Sequence, residues 1–338
     1  MYIKRNIGFG LLLRYAWKNL IFFSLYATIV YALYFVLGWT FIDLPFQPIS
    51  VIGIAVSFYI GFKNSQSYDR FWEGRKIWGG IVNYSRTWGI RVLSFVHSDN
   101  PEKDKEIQRV MIHRHIAWLN ALRVQLRQPK SWSIKENKSV EKIFDKHAER
   151  NISCNEAYNY VSMREFSDLR KRVNPATHLV KNQAQDITQL RKENILDSFQ
   201  ELQLQGVLEE FYNLQGKCER IKNTPFPRQY AYFSKIFTWI FILLIPFGLL
   251  NVFKGHNEMY DSSGVDWLIF LQIFFSILIS WIFTTMEIVG DNSEDPFEGR
   301  VNDVPMTALC RTIEIDLRDM LDEEELPEPV QAKDNILY

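Results

Sequence analysis

Side chains that could do acid–base, nucleophilic or metal chemistry are few in this 338-residue sequence, and their spacing is poor for it. Asp69 and Glu73 stand four apart, which puts two carboxylates on one helix face. Arg70, Arg75 and Lys76 are interleaved with them, so ion pairing is expected rather than proton transfer. His113 and His115 are two apart, point to different faces of a helix and do not share a metal ion easily. The three cysteines, Cys154, Cys218 and Cys310, sit in no nucleophile motif. There is no glycine-rich phosphate loop with its lysine, no His-Glu-x-x-His and no paired Cys-x-x-Cys. An enzyme is therefore the weakest functional class, and neither a cofactor nor a metal is expected.

Lys plus Arg equals Asp plus Glu at 39 each, which lacks the basic excess of a nucleic-acid partner. An odd and sparse cysteine count argues against a disulfide framework and for a reduced compartment. The 25 Phe and 10 Trp are clustered rather than spread, so a mean hydropathy near zero hides two unlike halves. Arg14 and Lys18 precede the first apolar run with no small-residue cleavage site after it, so no signal peptide is expected.

The elements that must carry any function are four charge-free runs: Asn19 to Ile42, Leu44 to Phe62, Ile236 to Phe253 and Trp267 to Met286, of 24, 19, 18 and 20 residues. About 20 apolar residues in a helix cross the hydrocarbon of a bilayer, where backbone polar groups must pair internally. The second run is less greasy, with Gly53, Ala55, Ser57 and Gly61, as suits a helix closely packed or lining a pore. No run contains an acid or a base, which tilts the reading from a pump or coupled transporter toward a passive pore or a scaffold. Lys and Arg flank the first run on its N-terminal side, the second on its C-terminal side and the third on its N-terminal side, so both termini and the long central region are expected in the cytoplasm. Helical periodicity continues from the second run through Lys63 to Phe95, and recurs over Glu102 to Arg127, Thr177 to Arg191, Ile195 to Lys222 and Ala308 to Leu321. Gly74, Gly79 and Gly80 are expected to serve close packing of the long helix. Lys130 to Asn155 is the most polar stretch, and the tail from Asp322 is acidic, has two prolines and is expected to be extended or disordered.

Gly53-Ile54-Ala55-Val56-Ser57-Phe58-Tyr59-Ile60-Gly61-Phe62-Lys63-Asn64, followed by Ser67 to Arg75 and Ile77-Trp78-Gly79, resembles the bacterial branch of the bestrophin family. Two further blocks agree. Thr224-Pro225-Phe226-Pro227 with Leu244 to Gly248 is similar to that family's third membrane segment and its lead-in. Glu294 to Phe297, Asn302 to Pro305 and Cys310 to Glu314 are similar to the block after its fourth. The resemblance spans residues 1 to 322.

It implies an all-α, multi-spanning membrane protein with four transmembrane helices per subunit and a cytoplasmic helical bundle, assembled as a homopentameric channel. The implied organisation is 1–100 for the first two membrane helices and the extension of the neck helix, 101–223 for the vestibule, 224–290 for the third and fourth membrane helices, and 291–338 for the C-terminal segment and tail. The resemblance carries the family's hydrophobic neck onto Ile54, Phe58 and Phe62. These fall at i, i+4 and i+8, in layers about 6 Å apart on one helix face. It carries the cytoplasmic aperture onto Ile187. The expected partners are further copies of the chain, small monovalent ions and the lipid of a bacterial inner membrane. Chloride is the family default, while acidic rings at Asp186 or Asp43 would favour cations. Animal members bind calcium after an Asn-Pro-Phe turn. Here Arg300 stands where an acidic ligand belongs, so no metal is expected, and Asp295 and Asp303 are expected to cap the next helix instead. The competing expectation is a non-conducting scaffold or sensor that recruits a cytoplasmic partner, which bilayer recording separates from a channel.

Overall fold

A computed structural model describes residues 1–6, 9–131, 159–260, 267–300, 302–333 and 335–338. Nine α-helices are described: α1 Phe9–Phe35, α2 Phe46–Phe95, α3 Pro101–Arg127, α4 Met163–Leu169, α5 Pro175–Lys192, α6 Ser198–Asn223, α7 Arg228–Tyr260, α8 Trp267–Ser293 and α9 Met306–Asp319. The sequence dictates several of their starts. Asn100 and Asn174 each cap a helix whose first residue is proline, where the missing N–H costs nothing. Asp197 and Gln200 form a reciprocal capping box on α6. The polar stretch Lys130 to Asn155 falls outside the described residues beyond position 131. The short α4 escaped the periodicity because seven residues make only two turns.

α2 organises the molecule. It runs for 50 residues without a break, and its two ends belong to different cores. At the N-terminal end Ile49, Val56 and Ile60 pack against Phe241, Ile245 and Leu249 of α7. At the C-terminal end Ile77, Trp78, Ile81, Trp88 and Val92 join α3, α5, α6 and α9 around Trp118 and Phe211. Each such side chain contributes about 2 kcal/mol when fully buried. Two of the three glycines serve packing as expected. A Cβ at Gly74 would meet the Phe297 ring at 3.0 Å and one at Gly80 would meet Leu214 at 3.0 Å, whereas Gly79 has only its own helix's Arg75 nearby.

Among the described residues four helices are long and apolar enough to cross a membrane: Ala16–Phe35, the one within Thr40–Phe95, Arg228–Phe253 and Leu271–Ser293. The first expected span is shorter than its charge-free run, because the chain turns at Gly38 with φ +67° before a 3₁₀ turn at Thr40–Ile42. The tail is extended, as expected, but it is docked rather than loose. Ile3 N–H donates to Asn335 O at 2.9 Å, Leu337 N–H to Met1 O at 2.8 Å and Ala308 N–H to Tyr338 O at 2.7 Å. Ile336 is buried in consequence.

Candidate functional site

The three residues of the expected neck lie together on the outer face of α2. Ile54 is 71%, Phe58 79% and Phe62 47% exposed, while Val56 and Ile60 on the opposite face are 4% and 0% exposed. The inner face is held tightly. A Cβ at Gly53 would stand 2.6 Å from the Phe241 ring, so only glycine lets α7 approach this far. The outer face is an apolar stripe left uncovered by its own chain.

One residue below Phe62 the stripe ends on a buried cation. Lys63 Nζ reaches Glu287 Oε1 at 2.7 Å and Asp291 Oδ1 at 2.5 Å, both on α8, and Ser234 of α7 donates its hydroxyl to Glu287 Oε2 at 2.8 Å. Asn64 donates to the Met286 carbonyl at 3.1 Å. Sequence reasoning missed this triad. A signal was present: the second and fourth runs both travel toward the same side of the membrane, and one ends in Lys63, the other in Glu287.

Beyond α8, residues 294–300 and 302–304 belong to a turn pinned by cations from other helices. Arg228 Nη1 pairs with Glu294 at 3.0 Å, Lys222 Nζ with Glu298 at 2.5 Å and Arg127 Nη1 with Asp303 at 3.0 Å. Phe297 adopts φ +80°, a strained value for a side chain with a Cβ, and is wholly buried against Gly74. Its N–H donates to Asp303 Oδ1 at 2.8 Å, which holds the strained turn closed. Burial, reinforced by Asp295 and opposed by Arg228, pushes the Glu294 carboxyl up to about 7.

This turn does not fit a calcium ion. Asp303 Oδ1 accepts from the Phe297 and Val304 amides, and Oδ2 accepts from the Gly299 amide and Arg127, so both oxygens are taken. Arg300 Nη1 donates to the Asp291 carbonyl at 2.9 Å, placing a further cation in the turn. Among the described residues no group of three or more His, Cys, Asp or Glu could hold a metal. The expectation that Asp295 and Asp303 cap the following helix is corrected: α9 begins after Pro305 with no side-chain cap, and Asp303 closes the preceding turn on itself. Asp295 is buried with Oδ2 unbonded among the described residues.

The other expected sites separate. Ile187 is 0% exposed and packs in the core of the charged half with Leu179, Val180 and Leu190, so its side chain cannot line an opening. The surface of α5 at this level is instead Gln185, Thr188 and Gln189. Asp186 is tied to Arg114, which also pairs with Glu165 at 2.9 Å, so its charge is answered inside the chain. Asp43 lies at the other end of α2, where Asn251 donates to it at 3.4 Å. Glu73 pairs with Lys76 at 3.1 Å as expected, but Arg70 bonds the Ile221 and Thr224 carbonyls instead of an acid. Asp69 is exposed and takes no ion pair among the described residues. His113 and His115 do face different ways. His113 Nε2 meets Glu323 of the tail at 2.7 Å, while His115 is buried between Phe211 and Trp118 and bonds Ser85 at 2.9 Å.

Comparison with known proteins identifies the fold and the family. The chain is 28% identical over 300 residues to the voltage-dependent anion channel-forming protein YneE of Escherichia coli K12, covering 88% of this chain and 84% of that one. The protein of that description from Salmonella typhi is 27% identical over 290 residues, covering 85% and 80%. The fold superposes on a crystal structure of a bacterial bestrophin homolog from Klebsiella pneumoniae with a TM-score of 0.73 at 24% identity, covering 91% of this chain and 99% of that one. Residues 9–319 match the family described as Bacterial/Fungal Bestrophin protein. The chain therefore belongs to the bacterial and fungal bestrophin family, as an integral membrane protein and not an enzyme.

Proposed function

We propose that this protein is an ion channel in which five copies surround one axis, with Ile54, Phe58 and Phe62 of α2 forming three apolar rings at its neck. The observation that carries the reading is the uncovered stripe: three large apolar side chains stand out from a helix whose opposite face is tightly packed. A narrow apolar constriction of this kind gates by dewetting. The same helix continues into the charged half, so neck and vestibule are walls of one conduit. The relatives named as anion channel-forming proteins support conduction of small monovalent ions. Lys and Arg placement supports a bacterial inner membrane with both termini in the cytoplasm, with residues 101–223 as vestibule and 224–290 as the third and fourth membrane helices. With Ile187 buried, a lower aperture takes its lining from exposed neighbours on α5, Gln185 and Thr188.

Reconstitution in planar bilayers tests the reading. Wild type gives unitary currents, and Ile54, Phe58 and Phe62 changed together to Ala widen the neck and raise them. Silence from both proteins refutes the channel, and a detergent-solubilised particle of other than five subunits refutes the pentamer.

A further inference from the structure

Below the neck, α2 carries a charge with no role so far. From Leu44 to Phe62 the helix and its lead-in hold no acid or base. Lys63 is consumed by Glu287 and Asp291. Residues 64 to 68 are Asn, Ser, Gln, Ser and Tyr, so Asp69 is the first exposed carboxylate or basic side chain beyond Phe62. Its direction is fixed by the helix. At 3.6 residues per turn Phe58 and Phe62 lie about 40° and 80° around the axis from Ile54, and Asp69 lies about 60° around, between them. It stands roughly 10 Å beyond Phe62 along the axis. Ser65, about 20° around, is the exposed residue between them that shares this face.

The nearby charges do not cancel it. Glu73 and Lys76, the next ionisable side chains toward this face, neutralise each other at 3.1 Å. Arg70 is turned away to the Ile221 and Thr224 carbonyls, where the end of α6 holds it. Resting on the pentameric neck proposed above, we infer that Asp69 sets the sign of the permeating ion: five carboxylates ring the inner mouth of the neck, attract cations to it and repel anions. The apolar rings set whether water and ions pass at all, and the Asp69 ring sets which ions wait at the entrance. Asp186 is displaced from that role by its ion pair with Arg114, and Asp43 by its place before the opposite end of α2.

The test is the reversal potential of the full chain in a planar bilayer under a KCl gradient. Wild type and Asp69→Glu reverse on the potassium side. Asp69→Asn lowers the cation-to-anion permeability ratio roughly tenfold, the size expected of five screened unit charges about 10 Å from an ion. Asp69→Lys carries the reversal potential across zero to the chloride side. Conducting Asp69→Asn and Asp69→Lys channels with the wild-type reversal potential overturn the assignment, as does a wild type that reverses on the chloride side. No current from wild type overturns the channel reading itself, a distinct outcome. Should a variant fail to assemble, the wild type alone decides. A charged ring gives cation preference that strengthens as KCl is diluted and the screening length grows, and a ratio independent of salt overturns it.

Discussion

Replacing Lys63 by Met removes the ammonium while keeping most of the side-chain volume. Its two acceptors suffer unequally. Glu287, whose side chain is 8% exposed, keeps only the Ser234 hydroxyl as a donor, whereas Asp291 is 28% exposed and rehydrates. Stranding one buried carboxylate costs about 3 kcal/mol, the lower end of the range for breaking a buried pair, because Asp291 is spared. For a chain of this size that lowers the unfolding midpoint by roughly 6 °C. Glu287→Met leaves Lys63 with Asp291 and costs less. The double variant puts two apolar side chains face to face and recovers about 2 kcal/mol relative to the sum of the singles. Detergent-solubilised protein, heated and followed by fluorescence-detected size exclusion, gives all three midpoints. Strict additivity of the two single variants, or an unchanged midpoint for Lys63→Met, refutes the claim that this pair ties α2 to α8.

Gly53→Ala drives a methyl group to 2.6 Å from the Phe241 ring and should cost about 2 kcal/mol in the same assay, since both α2 and α7 are helical there and the ring has little room to withdraw. His115 is held neutral by complete burial, its pKa lowered to about 3. Between that value and the ordinary 6.5 the unfolded chain binds the proton and the folded chain does not, so the stability of wild type relative to His115→Phe rises by about 1.4 kcal/mol per pH unit up to pH 6.5 and is flat above; urea titrations across that window measure it. Asp303→Asn leaves Arg127 without its buried counter-charge and weakens three amide bonds, which should cost about 3 kcal/mol. Calcium should not restore the loss, and neither calcium nor a chelator should shift the wild-type midpoint, because the oxygens it needs are already bonded.

What was legible in the sequence is what local spacing encodes. The 50-residue run of α2 and the four apolar spans follow from periodicity and charge-free length. Ile187 shows the same rule obeyed against the resemblance. It lies on a stripe with Val180, Gln183 and Leu190, at three- and four-residue steps, and that stripe is the buried face of α5. The resemblance carried the aperture onto Ile187, whereas its place on that stripe is what its burial follows. What was not legible depends on partners far apart in the chain. Lys63 meets Glu287 across 224 positions, and Asp303 meets Arg127 across 176. Nothing in either neighbourhood announces the other. The docked tail is of the same kind, since it is held by single contacts to Ala308, His113 and the first residues rather than by any pattern of its own.

Those distant pairs share a geometry that bears on how the proposed neck is held. α2 is gripped at three heights: by α7 beside Gly53, by α8 at Lys63, and by the turn after α8 where Phe297 fills the space left by Gly74. A helix with continuous backbone bonding transmits a shift at one grip to the next as rotation or translation. The lowest grip depends on a strained turn, and here protein cations from α3, α6 and α7 hold that turn shut through Arg127, Lys222 and Arg228. A divalent ion that came and went would make such a grip conditional. Covalently attached cations do not come and go, and pH acts on this grip through Glu294, whose carboxyl burial pushes up to about 7. Because that carboxyl binds its proton more readily in the folded chain than in the unfolded one, the stability of wild type relative to Glu294→Gln falls as pH rises from about 4.5 to about 7 and is flat beyond. A difference that stays constant across the window would place Glu294 in water rather than in the grip.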